Sequence, residues 1–547
     1  MTFRTERDPL GEVQVPSEAY YGAQTQRAVE NFPISGLRAP APLVTATVMV
    51  KKAATEANVR LGRLPRKIGR AIVEAANEVL GGALRDQFVV DVYQAGAGTS
   101  HNMNTNEVLA SRAAELLGAE RGDTSLVHPN DHVNMSQSTN DVFPTATRLA
   151  LLMTAPELLG AGRALARALD AKARKFRRVL KTGRTHLQDA VPITLGQEFS
   201  GYAACIVSGC EEVERSLEGL KELNLGATAV GTGLNAGLDY VEIAIRRLRT
   251  HSGIDLRPAA NRFRVTQSMG DVLSYSGALR RLAVELTKVA SDLRLLSMGP
   301  LAGLAEIQLP PVQPGSSIMP GKVNPSLPEM VNQVCYQVRG CDEAIAGACE
   351  GGQLELNVMM PVIAWNALHA TTILARAMDV LRARCVEGIR VDAARCRELL
   401  DRSTAVATAL SPYIGYAATA EIAKEAVATG RSIADLVRER GLIDPRRLDR
   451  ILAPEAMTAP GVPGQRPGRP GQQRQDGTRE NTTTRTRRRA AAGGARGARV
   501  RPRAANAARP AVSAAGSRAA RGARSRRVAE ARADHGRGRG RGRRRRR

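Results

Sequence analysis

An all-α fold built on unusually long helices is what this sequence predicts, and three apolar stripes and a scarcity of rings carry the prediction. Val272, Tyr275, Leu279, Leu282, Leu286, Val289, Leu293 and Leu296 alternate steps of three and four residues. That spacing puts every member on one face of a helix of roughly 37 Å at 1.5 Å per residue. Leu151, Leu158, Leu165 and Leu169 form a second stripe, and Leu374, Met378, Leu381 and Cys385 a third. Stripes of this kind are core seams, so they are assigned to scaffold rather than to chemistry. Aromatic residues make up only 3% of the chain, which suits close packing of helices through Ala and Leu.

In chain order, residues 1–140 mix shorter helices with Gly- and Asn-rich loops and form a first domain. Residues 141–395 hold the three stripes and form the central bundle. Residues 396–459 read as a smaller, more charged helical domain, in which "YAATAEIAKEAVATG" (416–430) is an amphipathic helix stopping at Gly430. The last segment, 460–547, differs in kind. From Gly461 onward it carries 27 Arg against 4 acids and no Leu, Ile, Met, Phe, Tyr, Trp or Cys. It has nothing with which to build a core and is expected to be disordered. The same Arg/Ala/Gly/Pro composition is what GC-rich codons yield in a shifted frame, so a frame-shift artefact and a genuine tail stand side by side as readings.

Of the formal charge of +26, that segment holds +23, leaving +3 on everything before it. A nearly neutral body argues against a polyanion as its ligand. The closing "RGRGRGRRRRR" can attract nucleic acid electrostatically, although no aromatics are interleaved for base stacking, and nucleic acid is a partner only if the tail is real. Cys205, Cys210, Cys335, Cys341, Cys349, Cys385 and Cys396 form no C-x-x-C pair and are odd in number, as expected of reduced thiols in a cytoplasmic protein. The start "MTFRTERDPLGEV" lacks the apolar centre of a signal peptide, and no uncharged run reaches the roughly 18–20 residues that span a bilayer, so no membrane partner is expected.

Against this scaffold, four stretches are too polar and too rich in glycine or proline for their surroundings. "PGSSIMPGKVNPSLPEM" (314–330) places two serines, a lysine and an asparagine among Pro320, Pro325, Gly315 and Gly321, which forbid continuous helix. A phosphate-cradling loop fails on spacing: Gly315 to Gly321 is one residue too long, and Val323 stands where a metal-binding hydroxyl is needed. What remains is hydroxyls, backbone N–H groups and one cation, a set suited to a small carboxylate. "QAGAGTSHNMNTNE" (94–107) supplies Thr99, Ser100, Asn102, Asn104 and Asn106; "HPNDHVNMSQSTND" (128–141) supplies Ser138, Thr139 and Asn140; "GRTHLQDAVP" (183–192) supplies Thr185 and His186. Each alone is equally well capping and turn chemistry. Four together on a neutral helical body point to a site. None has metal-ligand spacing, and no nucleophile elbow appears.

"GSSIMPGKVNP" resembles the GSSxMPxKxNP signature of the fumarase/aspartase superfamily, and the other three loops resemble that family's regions in the expected order, from about residue 6 to about residue 457. Gly321 and Val323 fit the fumarase and aspartase branch better than the argininosuccinate or adenylosuccinate lyases. "DQFVVDVYQAGAGTSHNMNTNEVL" (86–109) and "GGQLELNVMMPVI" (351–363) look like the branch that eliminates ammonia from L-aspartate rather than like class II fumarase. The resemblance implies a three-domain all-α fold and reversible anti elimination to fumarate through an aci-carboxylate. It implies Ser316 as the base, Thr99, Ser138, Thr139 and Ser317 on the carboxylate that becomes the aci-acid, and Thr185, Lys322 and Asn324 on the other. Asn140 and His186 then face the leaving amine, Glu329 is the acidic partner of the histidine, and Arg27 adds positive potential. No cofactor is implied as required, with Mg²⁺ activation left open. The partners implied are a small dicarboxylate, ammonia and three further copies of the chain, in a homotetramer with shared sites. Class II fumarate hydratase is the alternative within the fold, and nucleic-acid binding through the tail the alternative outside it. One departure is Met135, where related sequences carry Lys.

Overall fold

The computed structural model describes residues 2–465, so the tail expected to be disordered lies outside the described residues except for its first few. Those few pack: the Tyr413 hydroxyl donates to the Pro463 carbonyl at 2.6 Å. The chain opens with a hairpin of β1 (Phe3–Asp8) and β2 (Gly11–Pro16), which turns Val13 and Val15 inward. Four helices follow, α1 (Ala23–Asn31), α2 (Ala41–Arg60), α3 (Arg66–Leu80) and α4 (Thr99–Leu116). Val44, Val48, Ile72, Val79, Val108 and Leu109 make a core of their own there, while the other face of α2 joins the main core through Leu43, Ala46 and Val50.

The central bundle starts with α5 (Thr139–Lys175). It then runs through a hairpin of β3 (Leu180–Thr185) and β4 (Gln188–Thr194) into α6 (Leu195–Leu220). Next come α7 (Leu238–Ser252), α8 (Arg262–Gln267), α9 (Gly270–Leu296), α10 (Ser326–Glu350) and α11 (Met360–Arg384). Helices α5, α6, α9, α10 and α11 close a ring, each packed on the next and α11 back on α5. The α9 stripe is the seam expected: seven of its eight members are fully buried and Leu296 is 4% exposed. Cys385, the last member of the third stripe, lies just past the end of α11, though still in the core. By length and composition α5 could cross a membrane, but its apolar residues face the bundle and it buries Asp141 and Arg148.

Two of the five ring helices carry no Leu stripe. Helix α6 presents Ile206, Gly209, Cys210 and Val213, and α10 presents Val331, Cys335, Val338 and Ile345. Small residues let neighbours approach: a Cβ on Gly209 would lie 2.7 Å from Leu282 Cδ1 of α9. Polar ties fix the register, with the Tyr275 and Thr371 hydroxyls 2.9 Å apart and Ser276 donating to Asp342 at 2.6 Å. The described residues close with the helices α12 (Ala393–Asp401), α13 (Ser411–Ile414), α14 (Tyr416–Thr429), α15 (Ile433–Glu439) and α16 (Pro445–Ile451). Helix α14 stops as expected at Gly430, whose φ of +70° closes the last turn with its N–H on the Ala426 carbonyl.

Candidate active site

The polar loops sit at three places on this scaffold. The first is the start of α5. Ser138 caps it, its hydroxyl oxygen accepting from Asn140 N at 3.2 Å while the Asp141 carboxylate accepts from Ser138 N at 3.0 Å. The other Asp141 oxygen accepts from Gly226 N (2.9 Å) and Thr228 N (3.0 Å). Asn140 donates to the Ala229 carbonyl at 2.8 Å. Segment 224–237 therefore forms one wall of the Ser138–Thr139–Asn140 site. Helix α4 supplies another wall. Gly98, at φ +83°, starts it where a Cβ would strike the Phe143 ring at 2.1 Å. Asn102, one turn beyond Thr99, donates to Thr139 Oγ1 at 3.1 Å. The two stretches that look alike in branch also meet, Ala97 N donating to the Val358 carbonyl at 3.0 Å.

Beneath this wall lie buried ionisable groups. Lys51 of α2 is fully buried and donates to Asn134 Oδ1 (2.8 Å) and Gln137 Oε1 (3.0 Å). Burial pulls its ammonium down to about 7 and pushes the Asp141 carboxyl up to about 7, each restrained by the other's charge. His101, also buried, is pulled down to about 4, first by burial and then by the Lys51 charge, so it is neutral.

The second place is the tip of the β3–β4 hairpin. His186 (φ 55°) and Leu187 (φ 59°) are the two turn residues, closing Thr185 against Gln188 in a left-handed pair that matches strand twist. Thr185 and His186 are exposed. The root of the hairpin is held by charge: the fully buried Glu306 lies 2.9 Å from both Lys181 Nζ and Arg184 Nη1, and Lys181 also reaches Glu198 at 2.7 Å.

The third place is the 314–325 loop, whose hydrogen bonds are largely its own. Gly315 N donates to the Lys322 carbonyl at 2.8 Å, and the Asn324 amide to the Gly315 carbonyl at 2.7 Å. A Cβ on Gly315 would lie 2.6 Å from Lys322 O, so only glycine fits. Within this fold-back the Ser316 hydroxyl oxygen accepts two backbone N–H groups, Ile318 at 3.2 Å and Met319 at 3.0 Å. Ser317 and Lys322 are exposed, and among the described residues Lys322 forms no ion pair.

The structure thus brings Ser138, Thr139 and Asn140 together with α4, the helix that begins at Thr99. Among the described residues, no hydrogen bond or ion pair joins Ser316, Ser317, Lys322 and Asn324 to that group or to Thr185 and His186. Glu329, in the first turn of α10, makes no ion pair with His186 among the described residues. Arg27 commits its guanidinium to Asp8 (2.8 and 3.0 Å) and the Gly11 carbonyl. Sequence reasoning passed over Lys51, Asp141, Glu306 and the 224–237 wall. The wall did leave a signal: Gly226, Gly231, Gly233 and Gly237 all take positive φ within twelve residues of "GATAVGTGLNAG". Among the described residues no group of three or more His, Cys, Asp or Glu is placed to hold a metal.

A closed helical ring, a serine whose oxygen accepts two N–H groups and hydroxyl-rich loops at helix starts are the features the family of lyases has to account for. Residues 11–340 match the family model described as Lyase and residues 406–459 that described as Fumarase C C-terminus, so the chain belongs to the fumarase/aspartase superfamily. It is 51% identical over 462 residues to an aspartate ammonia-lyase of Pseudomonas fluorescens, covering 84% of this chain and 97% of that one. A class II fumarate hydratase of Brucella suis is 46% identical over 458 residues, 84% of this chain and 99% of the relative. Among solved structures, a fumarate lyase:delta crystallin of Brucella melitensis bound to cobalt superposes with a TM-score of 0.81 at 51% identity, over 84% of this chain and all of that one.

Proposed function

We propose that the chain is an aspartate ammonia-lyase, converting L-aspartate reversibly to fumarate and ammonia by anti elimination. The proton removed lies on the carbon beside a carboxylate, and its loss puts a second negative charge on that group. Stabilising this aci-carboxylate is the main electrostatic task. Ser316, as the alkoxide, takes the proton. The observation that carries the reading is its cradle: two backbone N–H groups aimed at Oγ hold negative charge there, which a bare hydroxyl could not bear. Thr99, Ser138, Thr139 and Ser317 receive the developing dianion, and Thr185, Lys322 and Asn324 hold the other carboxylate. The substrate enters as an ammonium and leaves as neutral ammonia, the C–N electrons departing with it. Asn140 and His186 direct that nitrogen, with Glu329 behind the histidine and Arg27, already paired, contributing at most at long range.

Because, among the described residues, no hydrogen bond or ion pair joins the three groups of residues within one chain, a site completed by several copies is proposed, in a homotetramer with shared sites. Elimination by this route draws on no cofactor; Mg²⁺ as an activator is tested by adding it after a chelator. A cytoplasmic location accords with the reduced thiols. Nucleic-acid binding through the Arg-rich tail is the remaining alternative, and lyase activity surviving truncation after Gln465 separates it from catalysis. Hydration of fumarate is the second reading, since an amine and a hydroxyl fill similar space. The contact between segments 86–109 and 351–363 favours ammonia, because both resemble that branch. Fumarate absorbance with L-aspartate and then L-malate decides: turnover of malate with none of aspartate overturns the assignment.

A further inference from the structure

Thr139 can serve a carboxylate only if its hydroxyl proton points outward, and a hydroxyl is free to point either way. Three side chains behind it remove that freedom. Lys51 is buried and, as the ammonium, has donors only, so the side-chain oxygens of Asn134 and Gln137, at 2.8 and 3.0 Å, face it. Backbone carbonyls, which can only accept, confirm both orientations from the far side: the Asn134 amide nitrogen faces Gln137 O, and the Gln137 amide nitrogen faces Val133 O and Met135 O. With Asn134 Oδ1 so fixed, the atom of Asn102 that lies 3.3 Å from it must be the donor, Nδ2. That same nitrogen donates to Thr139 Oγ1 at 3.1 Å. Asn102 Oδ1 is left buried with no partner, which marks an amide orientation imposed from elsewhere rather than chosen for its own bonds.

We infer that Asn102 is a positioning residue of the lyase site, holding Thr139 as a hydrogen-bond donor to the substrate carboxylate in an orientation set by Lys51 through Asn134. Fixing that orientation before the substrate arrives removes the reorganisation that a rotating hydroxyl would need. The inference rests on the site assignment proposed above and deepens it.

The test is a double-mutant cycle on the full-length tetramer, with fumarate formation and calorimetric binding of succinate as readouts and elution volume and thermal midpoint as controls of assembly. Thr139→Val keeps the shape and deletes the hydroxyl. Asn102→Asp keeps the shape and replaces the donor with an acceptor, so that Thr139 turns its proton inward. The expectation is a fall in kcat/KM of tenfold or more for each of Asn102→Ala, Asn102→Asp and Thr139→Val, with Asn102→Asp worse than Asn102→Ala. In the Thr139→Val background, either Asn102 change costs less than about twofold. A merely structural Asn102 predicts the reverse order, the isosteric Asp being milder, and additive losses; either result overturns the inference. Lys51→Met adds a third arm, expected to match Asn102→Ala in kcat/KM and in the cycle. If wild type turns over malate and not aspartate, the reaction assigned fails while the cycle, run on malate, still reads Asn102. A wild type that turns over neither and binds no succinate overturns both.

Discussion

At the residue scale the site works by fixing hydrogen bonds around groups that cannot choose otherwise. Ser316 is held with two N–H groups on its oxygen, so on the proposed assignment Ser316→Ala removes the base and leaves the carboxylate contacts. We expect kcat to fall by about 10²–10⁴-fold with little change in KM, read from initial rates. In the proposed site Lys322 holds a carboxylate present throughout the reaction, and on that assignment Lys322→Ala is expected to raise KM for aspartate and fumarate alike by about 10–100-fold, the weight of a charge-assisted contact. His101 gives a pH signature. Its imidazole is held down to about 4 by burial and by Lys51, against an ordinary 6.5. Unfolded chains therefore bind a proton that the fold excludes, and stability present above pH 6.5 is lost as pH falls toward 4, by about 3 kcal/mol. Unfolding midpoints across that window should fall for wild type and fall less for His101→Gln. Ser316, Lys322 and His186 could be read from the sequence because glycine, proline and hydroxyl residues crowd around them. Lys51 could not, since a buried polar residue on an apolar helix face looks like a stray one until its partners are seen, and His101 was hidden among the polar neighbours of its own stretch.

At the scale of elements, legibility followed side-chain size. Helices α5, α9 and α11 announce themselves by Leu at heptad spacing, whereas α6 and α10 replace those leucines with Gly209, Cys210, Cys335 and Ala348 to let neighbours in. The β3–β4 hairpin was hidden for another reason. Its turn needs two residues at positive φ, normally Asn-Gly, yet His186 and Leu187 adopt them. What compensates is the anchorage of the strands, in which the buried Glu306 meets Lys181 and Arg184. Glu306→Ala leaves Lys181 buried with half its pairing gone. It should cost about 3–5 kcal/mol of stability, measured by denaturant midpoint, with loss of activity at concentrations where the fold persists.

At the scale of the whole molecule, the all-α class and the bundle of long helices were legible, because composition and period are summed over hundreds of residues. Assembly of the site across chains was implied by the family resemblance alone, since adjacency between chains would leave no periodic trace in one of them. Shared sites make a sharp prediction. If His186→Ala and Ser316→Ala are each inactive, unfolding and refolding an equal mixture should restore activity toward roughly a quarter of wild type, as random chains place one good loop beside the other. Verified mixed tetramers with no recovery would show that each site lies within one chain.

The Ser316 loop and the His186 hairpin each end in an apolar residue held out in the open, Ile318 at 83% and Leu187 at 74% exposure. In a protomer with shared sites, turnover per chain becomes a function of dilution. Below the concentration at which copies stay associated, the reactive groups remain intact but face solvent, and the assay falls silent without anything having unfolded. Such a chain would report the amount of its own kind in solution, recovering on concentration with second- or higher-order kinetics rather than at the rate of a folding step.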